Sequence, residues 1–169
     1  YRKIGIDHFA KSDDALAQAA AAGRLHRNFQ GYTDDGRETL IGFGASSISR
    51  FRDGYVQNIS DVPSYVRAIG GGNLAPARGC RLDAAERQRA RTIESLMCQF
   101  QVDLDATAPD MAFVEEYLLL QPLVRDGLVQ IEGRVVTATE AGRSVVRVIA
   151  AVFDPHTRKD DAGRFSKAV

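Results

Sequence analysis

The chain has 169 residues, and its 22 Lys and Arg residues balance 22 Asp and Glu residues, so the formal net charge is zero. This balance argues against a nucleic-acid-binding protein, which usually carries a basic excess or patch. Hydrophobic residues make up 44% of the chain, and no apolar run approaches the ~20 residues that a membrane span requires.

The composition fits an ordinary globular protein with one large or two small domains. Cys80 and Cys98 are the only cysteines, and two cysteines cannot complete a four-ligand metal site. Cys98 falls on the apolar side of a predicted helix, so we expect a buried thiol there. Sparse cysteine and the lack of a recognisable signal peptide favour a reducing cytoplasm.

The first ten residues alternate apolar and polar side chains and are predicted to form a strand. Asp7 and His8 stand near its carboxyl end, where α/β sheets tend to bind ligands. Because the chain opens within a strand-like segment, we expect it to be a piece of a longer protein. A helix should follow, capped by Ser12 and ended by Gly23.

Residues 26–49 are the most distinctive stretch. An octapeptide at 26–33 mixes aromatic, amide and cationic groups, and an apolar run at 40–49 alternates Gly42 and Gly44 with larger residues. Glycine weakens a strand, so its repetition suggests that a backbone or a ligand approaches closely. We predict a hairpin or strand-loop-strand unit that forms one wall of a pocket.

Three consecutive glycines at 70–72 follow a predicted short helix at 61–69. They lack the Lys-Ser/Thr ending of a phosphate-binding loop and are interpreted as a linker. We therefore expect two domains, at 1–72 and 73–169, within an α+β fold.

The second half is predicted to contain three helices, which begin at Asp83, Asp110 and Thr139. A capping box between Asp83 and Glu86 marks the first start, and Pro122 is expected to break or restart the second helix. Four arginines lie on or beside the first helix: Arg81, Arg87, Arg89 and Arg91. They are interpreted either as a solvated face balanced by acidic neighbours, Glu86 and Glu94, or as a patch for an anionic ligand.

A β-hairpin is predicted at 128–138, between the second and third helices. The order helix, helix, hairpin, helix is typical of winged-helix domains, which often bind DNA, although fold does not fix function. Zero net charge and the lack of a basic recognition helix argue against DNA binding. The polar tail is expected to dock through Phe165 or to stay partly mobile.

Several motifs together resemble the bacterial oxygen-independent coproporphyrinogen III oxidases (dehydrogenases), which are radical S-adenosylmethionine enzymes of haem biosynthesis. The octapeptide HRNFQGYT at 26–33 is the most specific, because a related family of haem-chaperone-like radical proteins carries roughly His-Asn-x-x-Tyr-Trp at that place. The resemblance covers essentially the whole chain. The other matching segments are IGIDHFA at 4–10, LIGFGASSIS at 40–49, Tyr55 with Gln57-Asn58, Leu96 to Phe100 with Asp103, DGLV at 126–129, GR at 142–143, VFD at 152–154 and FSK at 165–167.

The resemblance implies a parent enzyme of two parts: a partial (β/α) barrel with a 4Fe-4S cluster on a CxxxCxxC loop, and a mostly helical carboxy-terminal domain over the active site. This chain would contribute the last barrel-side elements (1–72) and a winged-helix-like lid domain (73–169). The cluster would be bound by the missing amino-terminal half. No residue here is then a metal ligand, and the fragment alone should be inactive.

The family's reaction removes a hydrogen from a propionate side chain and releases carbon dioxide. It turns two propionates of coproporphyrinogen III into vinyl groups and gives protoporphyrinogen IX. Two S-adenosylmethionine molecules occupy the site in this family, and by resemblance Phe29, Gln30 and Ile48 contact the second one. A buried Phe and Ile with a capping Gln is the alternative interpretation of these three residues.

Substrate contacts are also candidates in this stretch, because four propionates need cationic or amide partners. His26, Arg27 and Asn28 are the candidates for that role. Asp7 and His8 could position substrate or a proton, with an ion pair or a backbone cap as the alternative.

The expected partner is coproporphyrinogen III, with no nucleic acid and no membrane. We expect the parent to be monomeric and the fragment to self-associate through an exposed sheet edge. A haem-binding, chaperone-like relative without oxidase activity remains the alternative function.

Overall fold

A computed structural model describes residues 1–157 as mixed helix and sheet, which confirms the α+β expectation at that level. The chain divides into two compact units. The discontinuous unit comprises Tyr1–Asp34 and the chain from Gln88 on, and the inserted unit comprises Asp35–Arg87. Among residues 1–157 no helix combines the length and apolarity needed to cross a membrane.

Ten short strands and six helices make up the described chain, and every strand pair in it is antiparallel. The strands are β1 (Arg2–Ile4), β2 (His8–Ala10), β3 (His26–Asn28), β4 (Gly31–Thr33), β5 (Ile48–Phe51), β6 (Gly54–Asn58), β7 (Pro76–Arg81), β8 (Gln101–Asp103), β9 (Val129–Glu132) and β10 (Val135–Ala138). The helices are α1 (Ala15–Ala21), α2 (Val62–Gly70), α3 (Ala84–Gln99), α4 (Leu104–Thr107), α5 (Val114–Arg125) and α6 (Val146–Ala151), with a 3-10 turn at Gly142–Val145 before α6.

The single strand predicted over residues 1–10 is wrong, because the segment folds back as the β1–β2 hairpin. Ile4 pairs with His8 across a turn that contains Gly5, whose φ is +58°. Glycine adopts this left-handed conformation without strain, and two three-residue strands share the alternation of one longer strand. The alternation therefore could not reveal the reversal.

Helix α1 begins two residues later than predicted, because its cap is Asp14 and not Ser12. The Asp14 carboxylate accepts a hydrogen bond from the Leu16 amide at 2.9 Å. Gly23, with a φ of +65°, follows the last turn, so the predicted glycine stop is confirmed.

The octapeptide forms a hairpin by itself, since β3 pairs with β4 and not with the glycine-rich run. That run is mostly loop, and β5 after it pairs with β6. Asn58 is one of the side chains that hold this loop: its amide donates to the carbonyls of Gly42 and Gly44 and to Ser47 Oγ, at 3.0–3.3 Å. The predicted joint unit is thus two separate structures, one in each compact unit.

The inserted unit consists of the β5-β6-β7 sheet and α2. Asp61 caps α2 by accepting a hydrogen bond from the Ser64 amide, so the helix predicted at 61–69 is confirmed. Strand β7 begins four residues after the glycine stretch that was interpreted as a linker, and it pairs with β6. Its six residues are all exposed and show no apolar alternation, so the sequence of this segment does not indicate a strand. The division at 72/73 is therefore not where the compact units divide.

Two hydrophobic clusters fill the discontinuous unit. The larger lies among α3, α5, α6 and the β8-β10-β9 sheet and buries Leu96, Leu120, Ile149 and Phe153 completely. The smaller cluster packs the two amino-terminal hairpins and α1 around the following residues: Ile4, Ala10, Ala17, Ala19, Leu25, Tyr32 and Cys98. The predicted burial of Cys98 is confirmed.

The capping box at the start of α3 is confirmed, because the Asp83 amide donates to Glu86 and the Glu86 amide donates to Asp83, at 2.9 and 2.8 Å. The expected interruption at Pro122 is wrong, since α5 continues through it to Arg125. Proline removes one helical hydrogen bond, and the full burial of Leu120 keeps this segment packed despite that loss.

The arginines of α3 have protein partners that neither interpretation predicted. Arg87 donates to Asp53 and to the Leu82 carbonyl, and Arg91 donates to the Thr107 carbonyl. The patch for an anionic ligand is therefore not supported at these positions. Phe165, predicted to dock the tail, lies outside the described residues.

Candidate functional site

Tyr32 is the centre of the candidate site in the discontinuous unit. Its side chain is buried, and its hydroxyl accepts a hydrogen bond from the Ile6 amide at 3.2 Å and donates one to the Met97 carbonyl at 3.1 Å. Burial raises the pKa of the Tyr32 hydroxyl above its ordinary value of 10.0. This neutral hydroxyl joins the β1–β2 turn to the last part of α3.

The side chains of Asp7 and His8 are hydrogen-bonded to each other beside Tyr32. His8 Nδ1 lies 2.9 Å from Asp7 Oδ1, and the imidazole and the Tyr32 ring form a T-shaped pair with 5.1 Å between ring centroids. The hydrogen bond with His8 lowers the pKa of the Asp7 carboxyl from its ordinary 3.8, with smaller contributions from the charges of Arg147 and Arg27. An ionised carboxylate only accepts hydrogen bonds, so Nδ1 carries the proton.

The second nitrogen of His8 faces the octapeptide hairpin. A Cβ atom at Gly31 would lie 3.1 Å from His8 Nε2, and Gly31 has a φ of +143°. In the neutral imidazole Nε2 is then a hydrogen-bond acceptor, and in the charged form it is a donor. Both forms offer a polar group to a ligand at this hairpin.

Arg27 lies opposite Tyr32 across the β3–β4 pair, so both side chains share one face of the hairpin. Its guanidinium carbon is 5.5 Å from the centroid of the Tyr32 ring. Arg27 Nε is buried, and no residue within 1–157 accepts a hydrogen bond from it. The group is thus a half-buried cation with unused hydrogen-bonding capacity.

His26 and Asn28 already have protein partners. His26 Nδ1 lies 3.2 Å from Glu94 Oε1, which also accepts a hydrogen bond from the Arg27 amide. Asn28 Oδ1 accepts from the amides of Gln30 and Gly31 at 2.8 and 3.2 Å. His26 therefore attaches the hairpin to α3, and Asn28 shapes its turn.

Phe29 and Gln30 form the tip of the β3–β4 turn, and both are exposed. The Phe29 side chain is 55% exposed, far more than expected of a core aromatic. Ile48 is half-buried on β5, in the inserted unit. A Cβ at Gly42 would lie 2.9 Å from the Ile48 carbonyl oxygen, so the close approach that this glycine signals is to protein backbone.

Tyr32 and Glu94 are the site residues that the sequence did not single out. Tyr32 lies within the octapeptide, but its partners Ile6 and Met97 are 26 and 65 positions away. Glu94 lies 68 positions from His26 and looked like a counter-charge for the α3 arginines. Only the tertiary fold shows these pairs.

The arrangement suits a ligand that has both carboxylates and a flat apolar surface. Arg27 supplies a cation for a carboxylate, His8 supplies a ring nitrogen, and Phe29 supplies an exposed aromatic face. Within residues 1–157 no group of three or more His, Cys, Asp or Glu side chains could hold a metal ion.

Comparison with known proteins gives close relatives over nearly the whole chain, although no protein-family model matches it. A Bradyrhizobium diazoefficiens protein named oxygen-independent coproporphyrinogen III oxidase is 42% identical, and the match covers 92% of this chain and 36% of that protein. Proteins of the same name from Cereibacter sphaeroides and Salmonella typhimurium are 41% and 39% identical, and each match covers 100% of this chain and 38% of the relative.

A solved structure gives the same result in three dimensions. Coproporphyrinogen III oxidase from Escherichia coli, described as a radical SAM enzyme, matches with a TM-score of 0.86 and 39% identity over 92% of this chain and 37% of that one. The resemblance predicted from the motifs is confirmed. The chain spans little more than a third of the length of these relatives.

Proposed function

We propose that this chain is the carboxy-terminal part of an oxygen-independent coproporphyrinogen III oxidase, which converts two propionates of coproporphyrinogen III to vinyl groups and gives protoporphyrinogen IX. The observation that carries the proposal is the octapeptide hairpin, which places exposed Phe29 and Gln30 at its tip and a hydrogen-bonded Asp7–His8 pair beside it. Relatives of that name, 39–42% identical across the chain, support it.

The remaining two thirds of the relatives' length would supply the 4Fe-4S cluster. The 169 residues contain only two cysteines, so they cannot provide the CxxxCxxC loop that the family uses. There, bound S-adenosylmethionine would supply the radical chemistry that removes a hydrogen from a propionate side chain.

Phe29, Gln30 and Ile48 would contact the second S-adenosylmethionine. Phe29 offers an exposed aromatic face, and the exposed Gln30 offers amide donors and acceptors. Ile48 offers an apolar side chain at the end of a loop that the Asn58 amide holds in shape.

Arg27 is favoured over His26 and Asn28 as the partner of a substrate propionate. His26 is engaged with Glu94 and Asn28 with its own turn, while Arg27 Nε is buried without a hydrogen-bond acceptor in residues 1–157. A guanidinium binds a carboxylate with two parallel hydrogen bonds. The Asp7–His8 pair would then hold a second polar group of the substrate or a proton.

The part from 73 to 169 would act as a winged-helix-like lid that keeps water from the radical. The chain order α3, β8, α4, α5, β9, β10 and the sheet order β8-β10-β9 support this assignment. Residues 1–72 would supply the last elements beside the partial barrel. A cytoplasmic location, a monomeric parent and self-association of the isolated chain through a sheet edge remain predictions.

An anaerobic assay of the full-length protein tests the proposal. Coproporphyrinogen III, S-adenosylmethionine and dithionite are added, and the expected products are protoporphyrinogen IX, which carries the two new vinyl groups, and two molecules of carbon dioxide. The 169-residue chain alone is the control and should convert nothing. Haem binding without decarboxylation would favour a haem-delivering relative, and either that result or no conversion would overturn the proposal.

A further inference from the structure

We infer that Tyr32 is a positioning residue, which holds His8 against the octapeptide hairpin so that His8, Arg27 and the Phe29-Gln30 tip form one surface for a carboxylate ligand. The identity of that ligand as a porphyrinogen propionate rests on the proposed function. The positioning itself is a property of the fold and can be tested without it.

The Tyr32 side chain interlocks with the β1–β2 turn. A Cβ atom at Gly5 would lie 2.0 Å from the Tyr32 ring, so no side chain fits there, and the φ of +58° also favours glycine. The Tyr32 hydroxyl accepts a hydrogen bond from the amide of Ile6, which is the next residue of the same turn. The Tyr32 side chain therefore fixes the position of the turn that carries Asp7.

The same hydroxyl fixes the turn to the core. It donates a hydrogen bond to the Met97 carbonyl on α3. Removal of the hydroxyl would therefore take one hydrogen bond from the Ile6 amide and one from the Met97 carbonyl, which costs free energy in a buried place. The Tyr32 hydroxyl thereby links the turn to α3 through two hydrogen bonds, and a movement of the ring would break them.

His8 is held on three sides. The Tyr32 ring and the imidazole make a T-shaped contact, Asp7 holds Nδ1, and Gly31 lies close to Nε2 and Cε1. Gly31 follows Gln30 directly, so Nε2 is turned toward the hairpin tip. Bulk at position 31 would displace the imidazole.

Arg27 is brought to the same ring from the neighbouring strand. Its guanidinium lies over Tyr32 at 5.5 Å, a geometry in which the aromatic face attracts the cation. One aromatic ring thus sets the places of a cation and of an imidazole. A carboxylate is the ligand that both can bind, the first by charge and the second through Nε2–H when the imidazole is charged.

Nuclear magnetic resonance of the 169-residue chain tests the positioning. In the wild type we expect a nuclear Overhauser effect between His8 Hε1 and Gly31 Hα, and slow hydrogen exchange of the Ile6 amide. Tyr32→Phe keeps the ring but removes the hydroxyl, and it should weaken the first signal by at least half and speed the second exchange. Tyr117→Phe is the matched control, because the Tyr117 hydroxyl makes a long hydrogen bond of 3.5 Å to the Gly133 carbonyl, and both signals should stay unchanged.

The wild-type signals decide the matter even if Tyr32→Phe does not fold. Absence of the His8–Gly31 signal, or rapid exchange of the Ile6 amide, would overturn the inference. Unchanged signals in a folded Tyr32→Phe variant would overturn it as well.

Kinetics of the full-length protein provide the functional readout. Tyr32→Phe should raise the KM for coproporphyrinogen III roughly tenfold or more, since a misplaced binding group weakens its contact, while Tyr117→Phe keeps the wild-type KM. An unchanged KM for Tyr32→Phe would contradict the inference. An inactive wild-type protein would overturn the proposed function alone, and the magnetic resonance result would still decide the role of Tyr32.

Discussion

Cys80 and Cys98 have the same side chain in opposite surroundings. Cys98 is 5% exposed, and burial raises the pKa of its thiol from 9.0 to about 12, whereas Cys80 is exposed on β7. The thiolate is the reactive form. We therefore predict that iodoacetamide at pH 8 labels Cys80 in the folded protein and leaves Cys98 unlabelled, with both labelled in denaturant, as peptide mass spectrometry would show.

The Cys98 pKa also has a consequence for stability. Between about pH 9 and 12 the folded state keeps a proton that the unfolded state has lost, so stability falls as pH rises through this range. Cys98→Ala should remove this part of the pH slope, and Cys80→Ala should not. Equal labelling of both cysteines in the folded protein would contradict the account of Cys98.

Individual site residues differ in how far the sequence could predict them. The mixture of Phe29, Gln30 and Arg27 in one short segment is unusual for a core, and the structure does expose the hairpin tip. The roles of Tyr32 and Glu94 could not be predicted, because they depend on partners 26 to 68 positions away. Local patterns carry no information about such contacts.

At the scale of elements, a buried ion pair joins α3 to α5. Arg89 lies 2.8 Å from Glu116, their side chains are 19% and 5% exposed, and Arg89 also donates to the Phe153 carbonyl. Removal of one partner leaves an uncompensated buried charge. We predict that Glu116→Ala lowers the free energy of unfolding by about 3 kcal/mol, as measured by urea denaturation.

A double variant separates the cost of leaving one buried charge unpaired from the effect of losing the ion pair itself. Arg89→Met with Glu116→Leu should be less destabilising than either single change, because neither charge is then left unpaired. The exposed pair Arg143–Glu140 is the control, and Glu140→Ala should change the free energy of unfolding by less than about 1 kcal/mol. A loss for Glu116→Ala as small as that for Glu140→Ala would show that the buried pair does not tie the helices together.

Elements with local signals were predictable, and elements that depend on distant pairing were not. The capping box at Asp83 and the cap at Asp61 each occupy four residues, and both helices begin where these signals stand. Strand β7 and the reversal at Gly5 depend on β6 and on the Tyr32 ring. Packing also overrides the usual effect of Pro122 within α5.

For the whole molecule, the division into compact units escaped prediction because one unit is made of two separate chain segments. Composition and periodicity describe neighbours along the chain, so they place a boundary at a glycine-rich stretch. The motif resemblance succeeded where periodicity did not, since relatives of the named oxidase match across nearly the full chain. The matched region is 36–38% of the length of those proteins.

The proposed contribution of the octapeptide hairpin to the active site of a radical oxidase is tested most directly at Gln30. Gln30 is exposed at the hairpin tip, so its replacement leaves the core intact. The measurement is the anaerobic rate of conversion of coproporphyrinogen III by the full-length protein carrying Gln30→Ala, beside Gln121→Ala, an exposed glutamine on α5. Loss of hydrogen bonds to a charged ligand predicts a rate at least about tenfold lower for Gln30→Ala and a wild-type rate for Gln121→Ala. Wild-type conversion by the Gln30→Ala protein would contradict the claim.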